Sequence, residues 1–197
     1  MIGECKFNTL GLMLDCSRNA VMTVNELKRF IELLSKLGYN QFMLYTEDTY
    51  EVDGEEFFGY LRGRYTQKEL KELDDFAYEH GVELVPCIQT LAHFTALVRW
   101  PKYAAMKDID DILLVGDDRT YQLIERMISS LRKCFRTDKI HIGMDEAHNL
   151  GKGRYREIHW EVDRTEILLY HLNRVCEITQ KYNFKPSMCS DMFYRLA

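Results

Sequence analysis

The stretch HIGMDEAH, residues 141–148, brings together side chains that could do acid–base chemistry. Asp145 and Glu146 are adjacent carboxylates, and a histidine stands on either side of them. A carboxyl group that is partly buried or lies beside another negative charge keeps its proton to higher pH, as a general acid must. The pair could therefore divide two roles in bond cleavage. It could equally be an exposed acidic pair at a helix entrance, where the helix dipole favours negative charge.

Four letters of the stretch, DEAH, also occur in nucleic-acid helicases, but the rest of the chain argues against that class. A helicase requires a loop of the type GxxxxGK[ST] ahead of the motif, and the sequence has none. The net charge is −5, from 26 basic and 31 acidic side chains, so no excess of cations is available to neutralise phosphates. We expect no nucleic-acid partner.

A metal site is the next alternative for this stretch, because imidazole and carboxylate groups can bind zinc. The motif HExxH is absent, however, and side chains on a strand alternate between its two faces. His141, Gly143 and Asp145 would then share one face, and Glu146 would point away unless the chain turns there. We expect no metal and no other cofactor.

Short apolar segments alternate along the chain with segments of helical periodicity. The predicted strands are residues 11–16, 41–48, 82–90, 139–147 and 185–193, and the predicted helices cover about 23–37, 66–80, 119–135 and 163–182. Strands that are apolar throughout are covered on both faces, which indicates an α/β fold with a parallel sheet. An open doubly wound sheet and a (β/α)8 TIM barrel both fit this order.

Polar residues at the ends of successive predicted strands favour the barrel, because barrel enzymes build their sites there. The first strand also lacks the GxGxxG turn of a dinucleotide-binding sheet. Five strands do not close an eight-stranded barrel. We therefore interpret residues 1–197 as a single domain, the N-terminal portion of an incomplete barrel of about five βα units. Its open sheet edges would allow a homo-oligomer to form.

The cysteines and the hydropathy pattern bear on the compartment. None of the six cysteines forms a CxxC pair, and several sit in apolar runs, so we expect reduced thiols. No apolar run reaches the roughly 18–20 residues of a membrane span. The N-terminal MIGECKFN lacks the apolar core of a signal peptide. We expect a cytoplasmic protein without membrane contact.

The segment HIGMDEA resembles the motif of glycoside hydrolase family 20, the exo-β-N-acetylhexosaminidases, in which Gly, any residue, Asp and Glu follow one another. Other segments resemble the family in the same order: LDCSRNAVMTVNELKRFIELLSKLGYN its first βα unit, MLYTEDTYE its second strand, PCIQTLAHF its third and SDMFYRL its fifth. The similarity runs from about residue 9 to residue 197. It is closest to the bacterial branch that removes N-acetylglucosamine and N-acetylgalactosamine from non-reducing ends.

The resemblance implies a retaining, substrate-assisted mechanism in which the acetamido group of a small carbohydrate substrate attacks the anomeric carbon. It implies that Glu146 is the general acid and then the general base. Asp145 would orient the acetamido nitrogen and stabilise the oxazolinium intermediate. Because neither carboxylate attacks the sugar, the two can be adjacent in sequence.

The resemblance also implies substrate-binding residues on other strands. Arg18 matches an arginine that binds the 3- and 4-hydroxyls of the sugar, for which a planar guanidinium is suited. Glu47 and His93 would form a carboxylate–imidazole pair that tunes the general acid. The other substrate-binding candidates are His141, which would hold the strand end, and Asp48 and Asp191, which would contact sugar hydroxyls.

One position departs from the family pattern. The family commonly has Trp before Ser-Asp on the fifth strand, where it forms part of the sugar pocket, and this chain has Cys189. The residues that the family contributes from later strands are not in this sequence. The alternative hypothesis is therefore a non-catalytic carbohydrate-binding or structural fragment of such an enzyme.

Overall fold

A computed structural model describes residues 7–18 and 20–194. Cys5 and the first six residues of the N-terminal segment considered for a signal peptide lie outside the described part. The other five cysteines are free thiols. Among the described residues, no helix combines the length and the apolar character needed to cross a bilayer.

Five parallel strands form one sheet in the order β1-β2-β3-β4-β5. The strands are β1 (Gly11–Asp15), β2 (Gln41–Thr46), β3 (Glu83–Ile88), β4 (Lys139–His141) and β5 (Lys185–Ser187). The helices are α1 (Val24–Lys36), α2 (Gln67–Glu79), α3 (Thr95–Val98), α4 (Asp118–Cys134), α5 (Arg154–His159), α6 (Arg164–Lys181) and α7 (Asp191–Tyr194), with a 3-10 helix at Pro101–Met106. The strands follow one another in sheet order, with a helix between each pair, as in part of a (β/α)8 barrel and unlike a doubly wound sheet, in which the order reverses.

The long helices begin where local chemistry predicts. Thr23 caps α1 by accepting the backbone N–H of Glu26, and Thr66 forms a reciprocal capping box with Glu69 at α2. Their apolar residues pack on one face of the sheet, for example Phe30 of α1 against Phe42 of β2, with ring centroids 5.6 Å apart. Alternation along each strand then turns every second side chain to the opposite, inner face.

Two predicted strands are much shorter than the sequence indicates. The strand predicted at 139–147 ends at His141, because the backbone enters left-handed conformations at Gly143 and Met144. The strand predicted at 185–193 ends at Ser187, and α7 begins four residues later. The segments after β4 and β5 therefore both turn at the carboxyl edge of the sheet, where the candidate site lies.

Candidate active site

The two adjacent carboxylates stand on a strained turn that follows β4. Gly143, Met144 and Glu146 have φ values of +69°, +73° and +56°. Non-glycine residues rarely adopt such values, and they cluster at functional sites. At Gly143 a Cβ atom would lie 2.1 Å from the Gln89 side-chain oxygen and 2.7 Å from the Ile88 carbonyl oxygen, so a glycine is required. Because the chain turns here, Glu146 need not point away from Asp145, as strict alternation along a strand would require.

The surroundings of the two carboxylates differ. Asp145 is half-buried, and its Oδ1 accepts a hydrogen bond of 2.7 Å from the side-chain amide of Gln89. The Glu146 side chain is 56% exposed. Burial by itself raises the pKa of Asp145, but the contacts with His93 and Gln89 outweigh it and hold that pKa well below its usual value. Asp145 is therefore ionised, and Glu146 is free to reach a ligand.

His93 links three carboxylates from two strand ends. Its Nε2 lies 3.3 Å from Asp145 Oδ2 and 3.8 Å from Glu146 Oε2, and its Nδ1 lies 3.8 Å from Glu47 Oε1. His93 Nε2 has no hydrogen-bond partner of normal geometry, so its attraction to the carboxylates is mainly ionic. The contact with Asp145 raises the pKa of His93 despite burial. The imidazolium form is thereby favoured between the carboxylates.

Arg18 closes the group on the side of β1. Its guanidinium lies 3.2 Å from Asp15 and 3.5 Å from Glu47, and it stacks over the Tyr45 ring at 5.2 Å. Half of the Arg18 side chain stays exposed. Burial raises the pKa of Glu47, although Arg18 and His93 oppose the effect. The arginine is thus anchored and still accessible from the cavity.

Of the remaining predicted residues, His141 and Asp191 lie beside the charged group of the site, and Asp48 lies apart from it. His141 Nδ1 accepts the backbone N–H of Gly143, and Asp191 Oδ2 accepts the backbone N–H of Glu146, so both support the turn. Burial lowers the pKa of His141. Asp48 does not join the group. Its carboxylate is almost fully buried and pairs with Arg62 at 3.1 Å, because it points to the loop after β2 and not to the cavity.

Two residues of the site were not among the sequence candidates. Tyr45 and Gln89 are buried side chains whose hydroxyl and amide lie 3.0 Å apart. Tyr45 donates to Glu47, and Gln89 donates to Asp145. Alternation along β2 places Tyr45 on the inner face, and Gln89 follows β3. Their positions in the sequence were therefore only a weak indication that they belong to the site. Their partners lie far along the chain, and only the fold brings them together.

A cavity of about 250 Å³ opens beside these groups on the inner face of the sheet. Its lining includes Arg18, Tyr45, Asp145 and Cys189, with Met13 and Cys87 as the apolar floor. A larger cavity, of about 650 Å³, lies at the opposite end of the strands beside Asn40. We place the site at the smaller cavity, because Arg18 and Asp145 line it and both are in ionic contact with the other charged groups of the cluster.

The same cluster bears on metal binding. One ligand atom from each of His93, Asp145 and Glu146 can be chosen within 4.8 Å of the others. Imidazole and carboxylate are donors that zinc accepts. Asp145 is already engaged by Gln89, and the three side chains form an ionic group without a metal. The expectation of a metal-free site stays a prediction.

Comparison with known proteins agrees with a barrel of the sugar-hydrolysing kind. Residues 49–194 match the family described as glycosyl hydrolase family 20, catalytic domain. The chain therefore belongs to glycosyl hydrolase family 20. The matched range contains His93, Asp145, Glu146 and Asp191, and it begins after Arg18 and Glu47.

Individual relatives and structures are similar at low identity. The chain is 24% identical to human hexosaminidase D over 157 residues, 78% of this chain and 32% of that protein. It is 23% identical to a beta-hexosaminidase of Porphyromonas gingivalis over 217 aligned positions, gaps included, which cover 91% of this chain and 27% of that protein. The chain thus spans about a third of the length of these curated relatives.

Solved structures show the same fold. The exo β-N-acetylglucosaminidase of Vibrio harveyi, in complex with N-acetylglucosamine, superposes with a TM-score of 0.81 at 19% identity, covering 93% of this chain and 35% of that one. A Streptomyces plicatus β-hexosaminidase superposes with a TM-score of 0.77 at 24% identity, covering 95% and 40%. The five-stranded sheet corresponds to part of a larger barrel in these proteins.

Proposed function

We propose that this chain forms one domain, the N-terminal portion of the catalytic barrel of a β-N-acetylhexosaminidase. The reaction is hydrolysis of terminal non-reducing N-acetyl-β-D-hexosamine residues. The observation that carries the proposal is the turn after β4, which presents an ionised, half-buried Asp145 beside an accessible Glu146. Family membership and the beta-hexosaminidase relatives supply the substrate class.

The proposed mechanism is retaining and substrate-assisted. The acetamido oxygen of the bound sugar attacks the anomeric carbon while Glu146 donates a proton to the departing oxygen. Asp145 accepts the acetamido N–H and stabilises the positive charge of the oxazolinium ion. Water then attacks, and Glu146 removes its proton. An intramolecular nucleophile saves the entropy of bringing a second group into place, which reaches about 7–11 kcal/mol in favourable cases.

The other side chains have supporting roles in this proposal. Arg18 is half exposed and anchored by two carboxylates, so its free N–H groups can bind adjacent sugar hydroxyls. His93, held between Glu47 and Glu146 by ionic contacts, positions the general acid. His141 and Asp191 hold the turn. We leave Asp48 out of the substrate contacts because Arg62 occupies its carboxylate.

The proposal is tested by asking whether cleavage requires the acetamido group of the substrate. The chain is incubated with 4-nitrophenyl N-acetyl-β-D-glucosaminide, the galactosaminide, and 4-nitrophenyl β-D-glucoside, which lacks the acetamido group. We expect cleavage of the first two substrates, none of the third, and the β-anomer as first product by proton NMR. Equal cleavage of the glucoside would reject the substrate-assisted mechanism.

A non-catalytic carbohydrate-binding protein is the second candidate, and two observations favour it. Cys189 lines the cavity where the family commonly has a tryptophan, and β1 and β5 each pair on one side within the described residues. Binding of N-acetylglucosamine without cleavage of either aminosugar substrate would support this candidate. Light scattering on the same sample tests the homo-oligomer that open sheet edges would allow.

A further inference from the structure

A fully buried glutamine lies at the centre of the site. Gln89 follows β3 and has no exposed surface. Its amide nitrogen donates to Asp145 Oδ1 at 2.7 Å and to the Tyr45 hydroxyl at 3.0 Å, and its amide oxygen accepts the backbone N–H of Met144 at 3.1 Å. Both amide hydrogens and the amide oxygen are thus engaged. A buried polar group with all its partners has one preferred orientation.

The direction of each hydrogen bond follows from the chemistry of the groups. The ionised carboxylate of Asp145 can only accept, so the glutamine nitrogen must face it. The Tyr45 oxygen accepts the second amide hydrogen, and its own hydrogen therefore points to Glu47 Oε1, 3.2 Å away. His93 bridges Glu47 and Asp145 on the other side. Five side chains thus form a closed polar ring around the turn.

Gln89 also contacts the strained backbone itself. Its amide oxygen satisfies the N–H of Met144, a residue in the left-handed region, and it occupies the space that a side chain at Gly143 would need. Each of the nearest replacements in length or shape loses at least one of these contacts. Glutamate has the length without the donor, asparagine has the donor without the length, and leucine has neither donor nor acceptor.

We propose that Gln89 is a positioning residue that sets the orientation of the Asp145 carboxylate and fixes the turn from which Asp145 and Glu146 project. It acts through Asp145 and does not touch substrate. The proposal rests on the proposed function insofar as Asp145 is assigned to catalysis. Its structural part, the hydrogen bond between Gln89 and Asp145, can be tested without any substrate.

The direct test is the titration of Asp145 by NMR, with aspartate carboxyl carbons labelled and the Asp145 signal assigned by its loss in Asp145→Asn. The groups that face Asp145 are His93, Glu146, His141 and Cys189, with Tyr45 and Cys87 behind them. These groups are unchanged in Gln89→Glu, which keeps the side-chain length and removes the donor. We expect the pKa of Asp145 to rise in this variant.

The matched control is Gln41→Glu. Gln41 lies on the same inner face at the other end of β2 and also donates to a carboxylate, that of Glu83. The control introduces the same charge into the same sheet and should leave the titration of Asp145 unchanged. An Asp145 signal that titrates in Gln89→Glu as it does in the parent protein would overturn the proposal.

A second variant covers the case in which Gln89→Glu folds poorly. Gln89→Glu combined with Asp145→Asn exchanges donor and acceptor, so the hydrogen bond between the two positions can re-form. We expect the double variant to unfold at a higher temperature than Gln89→Glu alone. A double variant no more stable than that single variant would show that the two side chains are not coupled.

Activity provides the readout that separates positioning from simple stability. If the parent chain hydrolyses N-acetyl-β-glucosaminides, Gln89→Glu should lose kcat with a smaller change in KM, because Asp145 stabilises charge that develops in the reaction. If the parent chain hydrolyses none of them, the proposed function fails, while the titration and the exchange variant still decide the role of Gln89.

Discussion

The two ends of the inner sheet face carry similar residue types in different electrostatic settings. At the amino end, Gln41, Thr137 and Lys139 all bond to Glu83, with the lysine at 2.6 Å. At the carboxyl end, a glutamine again bonds to a carboxylate, in Asp145. Glu83 has Lys139 as its own cationic partner. Asp145 shares His93 with two further carboxylates, so negative charge accumulates at the carboxyl end.

This difference separates a stabilising arrangement from one suited to chemistry. Burial tends to raise the pKa of Glu83, but Lys139, Thr137 and Gln41 together lower it. Glu83 therefore stays ionised, and Lys139 compensates its charge. The accumulated negative charge at the carboxyl end would stabilise a cation such as the proposed oxazolinium ion, and low-dielectric surroundings strengthen that attraction. Barrel enzymes place their sites at that end.

The largest expected effect concerns activity at the carboxyl end. Glu146→Gln should lower kcat/KM for substrates with poor leaving groups by about 10²–10⁴-fold, because the proton donor is lost. The loss should be smaller for 4-nitrophenolate, which departs without protonation. The control is Glu83→Gln, which removes a carboxylate at the amino end and should change stability more than turnover. Similar losses in both variants would erase the distinction between the two ends.

The backbone at the two ends can be compared with two glycines of the same conformation. Gly143 and Gly81 both have φ of +69°, but a Cβ at Gly81 meets nothing within 4 Å. Gly81→Ala should cost about 1–2 kcal/mol of unfolding free energy, the penalty of left-handed backbone alone. Gly143→Ala should cost about 2–5 kcal/mol, because it also displaces Gln89. Urea unfolding measures both, and equal costs would contradict the close packing at the turn.

A buried histidine makes the carboxyl end sensitive to acid. His171 of α6 has no exposed surface, and its ring bonds to the Thr90 carbonyl oxygen at 2.9 Å and the Tyr121 hydroxyl at 3.3 Å. Burial lowers its pKa from 6.5 to about 4. Between these values the unfolded chain takes up a proton that the folded chain does not, so stability falls as pH falls, by about 3 kcal/mol in total.

The variant His171→Gln checks this dependence. It should lower stability near neutral pH and remove that part of the loss on acidification. Urea unfolding of both proteins, at neutral pH and again in mild acid, measures the difference between them. A difference that stays constant with pH would mean that His171 is not kept neutral by burial.

His93 should contribute stability with the opposite pH dependence. Its pKa is raised by Asp145, so the folded chain binds a proton more tightly than the unfolded chain. This contribution is fully present below the ordinary histidine pKa of 6.5 and is lost as pH rises through the raised value. The stability difference between the parent and His93→Asn should therefore shrink in alkaline solution. Thermal unfolding across pH measures it, and a widening difference would contradict the sign.

The smallest effect is expected at the amino end. Lys139→Met removes the partner of Glu83, but both side chains are substantially exposed. Exposed ion pairs contribute about 0–1 kcal/mol, so the unfolding free energy should fall by no more than that. Turnover should be unchanged, because the pair lies at the end of the sheet away from the cavity. A clear loss of turnover would mean that the two ends are coupled.

Local pattern accounts for the regular parts of the fold. Periodicity and caps place the first three strands and the long helices within a few residues of their observed bounds, since these signals act between near neighbours. The ends of β4 and β5 were extended too far. Apolar letters continue through Ile142 and Met144, and no local signal other than Gly143 shows that the backbone turns there.

The sequence predicted those site residues whose side chains are chemically distinctive by themselves. Asp145, Glu146 and His93 are chemically distinctive residues at strand ends, and the structure brings them together. Gln89 and Tyr45 were missed because their roles depend on partners 56 and 44 residues apart along the chain. Asp48 lies apart from this group for a related reason. One residue after Glu47 the side chain turns to the other side and meets Arg62.

The sequence by itself determined the alternation of strands and helices and the presence of paired carboxylates, because periodicity and residue chemistry are local properties. Only the tertiary structure decided which carboxylate is held ionised, which stays accessible and which is neutralised by a partner. Those outcomes depend on burial and on distances between groups far apart in the chain. Electrostatic energies change steeply with both quantities, and neither is written in the order of the residues.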